Sequence, residues 1–148
     1  TESIKKELDK LNLKIHVHEP MKKIDPDTDV YIVNSYGKTK SFYNMCKNVF
    51  LGGSLIQHGG QNPLEATRYG CNILHGPHTD NFKEIYNYLD KIKISSKIYT
   101  PLQTINELNK LLYKKNNSKK INDKLNQIGK EILSNTFKEI DQFLKNGI

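Results

Sequence analysis

The 148-residue sequence predicts an α/β fold, a parallel sheet with helices on both faces. Three observations carry that expectation. Short apolar runs alternate with stretches of helical periodicity. Glycines cluster where apolar runs end, which is where open α/β sheets bind ligands. Helix start signals follow those glycines.

Ser3 to Leu11 carries Ile4, Leu8 and Leu11 at helical spacing, with Ser3 as a possible cap. Leu13 to His18 alternates Leu13, Ile15 and Val17 with polar residues, the pattern of a half-buried strand. Glu19 to Thr28 reads as a loop, with Pro20 and Pro26 breaking regular structure. Val30 to Val33 suits a strand buried on both faces. Asn34-Ser35-Tyr36-Gly37 turns into a helix over Lys38 to Cys46, and Asn48 to Leu51 is the next strand.

Pro63 to Tyr69 reads as a short helix stopped by Gly70. Asn72 to His75 is a strand ending at Gly76-Pro77, and His75 merely ends it. Asn81 to Ile92 has Phe82, Ile85, Tyr86 and Leu89 on one helical face, and Ile94 to Tyr99 is the last strand. Pro101 to Tyr113 is amphipathic. Asn116-Asn117 marks a break inside a short solvated linker, Lys114 to Lys120, and 118-148 forms a long C-terminal helix weakened at Gly129.

This length suits one domain, 1-148, with a single core. The start at Thr1, inside an incipient helix, suggests a processed or excised piece. No apolar run reaches the roughly 18 residues a membrane helix needs, and no cleavable signal is visible. Cys46 and Cys71 are too few for a disulfide framework and read as buried free thiols. The net charge is +7, carried by 23 basic residues of which only Arg68 is arginine. Lysine without arginine argues against base-edge recognition, so nucleic acid is not the expected partner. The aromatic residues fall mostly at positions read as core.

Phe50 to Phe82 holds the residues with chemistry. Gly52-Gly53 and Gly59-Gly60 lie between the strand at Val49 to Leu51 and the Pro63-led helix. Strand, glycine loop and helix N-terminus together make an anion seat. Glycine lets backbone approach the ligand, while unpaired N–H groups and the positive dipole end receive charge. Ser54, Gly59, Gly60 and Asn62 are the candidate phosphate contacts, and Glu65 is placed to accept hydrogen bonds from ribose hydroxyls. Glu65 equally suits a first-turn acid complementing the dipole. His58 and His78 sit in two loops that could meet across the site, as ligand contacts or loop supports. There is neither a Walker loop nor a spaced dinucleotide fingerprint. His16 and His18 share a strand face, but with no third ligand apparent no metal is expected. No acid–base pair or nucleophilic triad stands out.

The stretch closely resembles the C-terminal half of bacterial 3-deoxy-D-manno-octulosonic acid (Kdo) transferases, which add Kdo to the lipid A precursor. The match runs through Gly52-Gly53-Ser54-Leu55, His58-Gly59-Gly60-Gln61-Asn62-Pro63-Leu64-Glu65, then Gly76-Pro77-His78 and Asn81-Phe82. Weaker similarity extends from Val30 to about Leu89.

The resemblance implies a Rossmann-like domain, the C-terminal half of a GT-B glycosyltransferase, that binds the CMP-Kdo donor. It implies direct, inverting transfer in lipopolysaccharide biosynthesis without a metal or cofactor. Gly53, Ser54, Gly60, Asn62 and Glu65 would surround the nucleotide, and Gly76, Pro77 and His78 would line the same cleft. The catalytic acid and the acceptor site would lie in an N-terminal domain absent from this chain, leaving it inactive alone. The implied setting is the cytoplasmic face of the bacterial inner membrane, where a basic surface suits anionic lipid. One departure is Tyr36-Gly37-Lys38, where the family carries an acid after the glycine. Alternatives are another nucleotide-sugar transferase or epimerase domain, or a basic module binding single-stranded nucleic acid or a membrane surface.

Overall fold

A computed structural model describes residues 2–113 and 118–146. Backbone contacts divide the chain into two compact units, Thr1–Thr39 and Lys40–Ile148.

In the first unit, helix α1 (Glu2–Asp9) is followed by strands β1 (Ile15–Val17) and β2 (Val30–Ile32), which pair in parallel with Ile15 opposite Val30. Ser3 lies inside α1 rather than capping it. The run Val30 to Val33 is only half-buried, unlike the expectation of a strand covered on both faces. Three-residue strands flanked by the charged loop at 19–29 have little apolar surface to place over them. His16 and His18 lie on either side of Tyr31, with ring centroids at 5.3 and 5.8 Å.

The second unit carries the site. Helix α2 (Thr39–Met45) leads into β3 (Asn48–Leu51), α3 (Leu64–Arg68) and β4 (Asn72–His75). A 3₁₀ turn (Asp80–Phe82) runs into α4 (Lys83–Lys91), followed by β5 (Ser95–Lys97), α5 (Pro101–Leu112) and α6 (Ser118–Asn146). The three strands are parallel in the order β3-β4-β5, so sheet hydrogen bonding falls into separate two- and three-stranded sets.

Alternation along β4 puts helices on both faces. Ile73 joins Leu51, Ala66, Cys71 and Tyr86 in one cluster, whereas Leu74 joins Ile98 and Leu111 in the other. Each strand-to-helix return stops at a local signal. Gly70, at φ +76°, ends α3, and Thr100 caps α5 by accepting from the Gln103 amide at 3.2 Å, with Pro101 opening the helix.

Three expectations change. Cys71 is buried, its thiol facing the carbonyls of Tyr43 and Cys46, but Cys46 itself is exposed. Tyr86 is a core residue, yet Tyr36, Tyr99 and Tyr113 are exposed, since aromatics in turns and at helix ends have no layer above them. The long terminal helix begins at Ser118 as expected, so it takes up the last residues of the expected linker, and it runs unbroken through Gly129, where a Cβ would meet open space. The expected break at Asn116-Asn117 lies outside the described residues.

Candidate nucleotide-binding site

The site is made by two loops that leave the carboxyl ends of adjacent strands. Leu51 and His75 are register partners at the ends of β3 and β4, so the loops from Gly52 and from Gly76 start side by side. Ser54 fastens them together. Its buried hydroxyl donates to the Leu51 carbonyl at 2.6 Å and accepts from the Gly76 amide at 2.8 Å. The His78 amide donates to the Ser54 carbonyl at 2.9 Å. A hydroxyl so engaged organises the loop from within.

Gly76 explains its own residue type. A Cβ there would lie 2.5 Å from the Ser54 carbonyl carbon and 2.7 Å from the Leu55 nitrogen, so the approach of the loops admits no side chain. Gly53, Gly59 and Gly60 have φ of +69°, +85° and +73°. At Gly60 the need is double, because a Cβ in that left-handed conformation would also come within 3.2 Å of the His78 carbonyl. Gly60 donates to the Gly53 carbonyl at 3.0 Å, closing the first loop, and Asn81 donates to the Gly59 carbonyl at 3.2 Å.

Asn62 is exposed and its Oδ1 accepts from the Leu64 amide at 3.0 Å, setting the entry to α3. That bond occupies one first-turn donor, and α3 has five residues, so its dipole is weaker than a full-length helix would supply. Glu65 is exposed in the first turn. Its carboxylate, after burial, helps raise the Tyr43 phenol above its ordinary value, which puts the acid near that ring. His58 is exposed beside Gly53, where a Cβ would lie 3.3 Å from its Cδ2. Pro77 and His78 are half-buried in the second loop, whose backbone adjoins Gly60. The structure thus gathers Gly53, Ser54, His58, Gly59, Gly60, Gly76 and His78 around one loop contact, with Asn62 and Glu65 on the adjoining helix entry. Gly37, at φ +80°, belongs to the turn after β2 in the first unit.

A buried network behind the loops escaped the sequence reading. His75, fully buried, contacts the Gly76 carbonyl through Nδ1 at 2.8 Å and Asp90 Oδ1 through Nε2 at 3.2 Å. Ser95 Oγ also bonds Asp90. Burial alone would raise the Asp90 carboxyl, but hydrogen bonds from His75 and Ser95 outweigh it and hold the group below its ordinary value. Tyr86 packs on the His75 ring at 4.3 Å and donates its hydroxyl to the Gln61 carbonyl at 2.8 Å. Burial, with Asp90 and Tyr43 adding, pushes that phenol up to about 12. The sequence held one usable signal: Tyr86 and Asp90 are four apart on a helix and therefore share a face.

A cavity of about 660 Å³ lies between α3, α4 and α6, lined by apolar side chains including Leu64, Ile85, Leu89, Leu125 and Ile132. Arg68, Glu84 and Lys130 also belong to its lining, but the cavity contains none of the glycine-loop residues. Among the described residues, no group of three His, Cys, Asp or Glu could hold a metal ion, and no helix is long and apolar enough to cross a membrane.

No protein-family model matches the chain. It is 32% identical over 107 residues to the 3-deoxy-D-manno-octulosonic acid transferase of Haemophilus influenzae, covering 72% of this chain and 24% of that protein. It is 26% identical over 117 residues to the transferase of the same name from Aquifex aeolicus, covering 79% and 32% respectively. The chain therefore spans about a quarter to a third of the length of these two relatives. In fold it is similar to the C-terminal CMP-Kdo binding domain of WaaA from Acinetobacter baumannii. The TM-score is 0.74 at 22% identity, over 86% of this chain and 66% of that one. By sequence along most of its length, and by its α/β fold, the chain is a relative of the 3-deoxy-D-manno-octulosonic acid transferases.

Proposed function

We propose that the chain is the donor-binding part of a Kdo transferase and seats the cytidine nucleotide of CMP-Kdo across the two joined loops. The observation that carries this reading is the lock between them. Ser54 fixes the Gly76 amide, and glycines at 53, 59, 60 and 76 keep side chains out of the contact. Backbone thus stays close to the surface over the ends of β3 and β4, where a phosphate would be met by loop N–H groups other than those of Gly60, Gly76 and His78, which the loops themselves engage. Glu65 would accept from the ribose hydroxyls, and His58 and His78 would flank the phosphate.

The acceptor would be a lipid A precursor. The catalytic carboxylate that activates it would come from protein outside these 148 residues. The charge of +7 supports a place beside an anionic membrane face, where each nearby lysine adds about 1 kcal/mol of attraction.

The reading is tested by calorimetric titration with CMP against UMP and GMP, alongside amide shift mapping. Selective binding of CMP, with shifts centred on residues 52–65 and 76–78, is the expected outcome. Glu65→Ala should weaken it about tenfold, the scale of one hydrogen bond to a charged group. Equal binding of all three nucleotides would leave a phosphate seat without cytidine selectivity and defeat the assignment to CMP-Kdo.

A further inference from the structure

His75 is a fully buried, polar residue that the nucleotide reading does not use. It ends β4, immediately before the turn proposed to line the donor cleft. The peptide groups of Gly76 are gripped from both sides: Ser54 Oγ takes its N–H, and His75 Nδ1 meets its carbonyl. Gly76 has no side chain of its own to fix its orientation, and none would fit. A carbonyl and a carboxylate both only accept, so the grip on Gly76 requires a proton on Nδ1 and the brace on Asp90 requires one on Nε2 as well. The far ring nitrogen is aimed at a carboxylate that Ser95 also binds, so the imidazole is held along its long axis between β4 and α4. Tyr86 closes one face of the ring, and the same tyrosine holds the Gln61 carbonyl in the other loop. Both loops are therefore anchored to α4, one through His75 and Asp90, the other through Tyr86.

We propose that His75 is a positioning residue: braced on Asp90, it holds the Gly76 carbonyl and so fixes the Gly76-Pro77-His78 turn in the shape that receives the nucleotide. The proposal rests on the donor-binding reading for its consequence in affinity, but not for its structural part. His75 touches no ligand and acts through the backbone it holds.

Two substitutions divide the brace from the grip. In His75→Asn the side-chain amide nitrogen falls near the position of Nδ1, keeping a donor for Gly76 and abandoning Asp90. His75→Gln reaches the position of Nε2, keeping Asp90 and abandoning Gly76. Both lose one hydrogen bond and much of the ring's packing, so a merely structural role predicts equal losses. The first readout is exchange of the His78 amide in the free chain, which reports its bond to the Ser54 carbonyl. Exchange in His75→Gln should be about tenfold faster than in His75→Asn, because the turn then opens locally. The second is CMP affinity, expected to fall about tenfold in His75→Gln and to stay within about threefold of the parent in His75→Asn.

Equal exchange in the two variants would overturn the proposal. If the unsubstituted chain binds no CMP, the donor reading fails while the exchange comparison still decides the positioning role. Should the variants fold poorly, long-range nitrogen–proton NMR on the parent chain decides instead. A His75 ring without a proton on Nδ1 cannot hold the Gly76 carbonyl and sinks the idea.

Discussion

Every residue of β4 is buried, whereas in β1 and β2 none is. The segments are similar as sequence, short apolar runs ending in a turn, and each pairs in parallel with its neighbour. The difference lies in what each unit has available to cover its strands. β4 receives Ala66 and Tyr86 on one face and Leu111 on the other. In the first unit, α1 is a helix of eight residues with none buried. Burial on both faces turns the end of β4 into a fixed platform, and the candidate site stands on it. A strand's apolar letters are necessary for that, but the covering helices decide it.

Glycine substitutions give the sharpest test, because Gly76 and Gly37 are needed for different reasons. At Gly76 the obstacle is backbone of the neighbouring loop, at 2.5 Å from a Cβ. At Gly37 a Cβ meets nothing within 4 Å and only the φ of +80° is unfavourable. Gly76→Ala should cost about 3 kcal/mol, the upper range for overpacking, and lower the melting temperature by roughly 6–12 °C. Gly37→Ala should cost about 1 kcal/mol, the local expense of a left-handed alanine. Thermal denaturation of both variants checks the contrast. A Gly76→Ala chain as stable as Gly37→Ala would mean that the loops over β4 are no more fixed than the turn after β2.

A smaller effect is expected in alkali, from Tyr86. Its phenol ionises at about 12 in the folded chain against 10.0 ordinarily. Between those values the unfolded chain has released a proton that the folded chain retains, so stability falls as pH rises through that window and is unchanged below it. Two pK units correspond to about 2–3 kcal/mol. Urea midpoints at successive pH values should show this decline in the parent chain. In Tyr86→Phe the contributions of the Tyr43 phenol and the Cys71 thiol, both also raised by burial, should remain. At neutral pH the variant should be less stable by about 1 kcal/mol through loss of the bond to the Gln61 carbonyl. Parallel alkaline curves for the two proteins would show that the loop anchor on α4 is open to solvent.

Local signals made much of this architecture readable in advance. Asn72 to His75 is a strand over the expected residues, Gly70 stops α3, and Pro101 opens α5. Each depends on side chains or dihedral demands within a turn or two of sequence. The location of the glycine loops at strand ends followed from the same short-range order. What escaped notice acts across distance. His75 meets Asp90 fifteen residues away on another element, and Ser54 meets Gly76 across 22. In the sequence His75 is only a polar residue closing an apolar run, and nothing nearby says that an acid will face it. Tyrosine exposure failed similarly: Tyr86 and Tyr113 both follow helical apolar patterns, yet only the first has a sheet above it.

The smallest expected effect comes from the far half of α6. Phe137, Ile140, Phe143 and Leu144 are 58, 48, 78 and 57% exposed, although their spacing makes one stripe. Leu89, on α4, is completely buried. Serine and phenylalanine have similar helix propensity, so Phe143→Ser changes little besides the exposed ring. Its cost should stay within about 0.5 kcal/mol, as for other open surface positions. Leu89→Ala should cost about 3 kcal/mol by leaving a cavity in the packed layer. Chemical denaturation of both variants at several protein concentrations measures the contrast. A loss above about 1 kcal/mol for Phe143→Ser, growing with concentration, would show that copies of the chain cover this stripe in solution. The division between a packed layer over β4 and an open helix face would then hold only for the isolated chain.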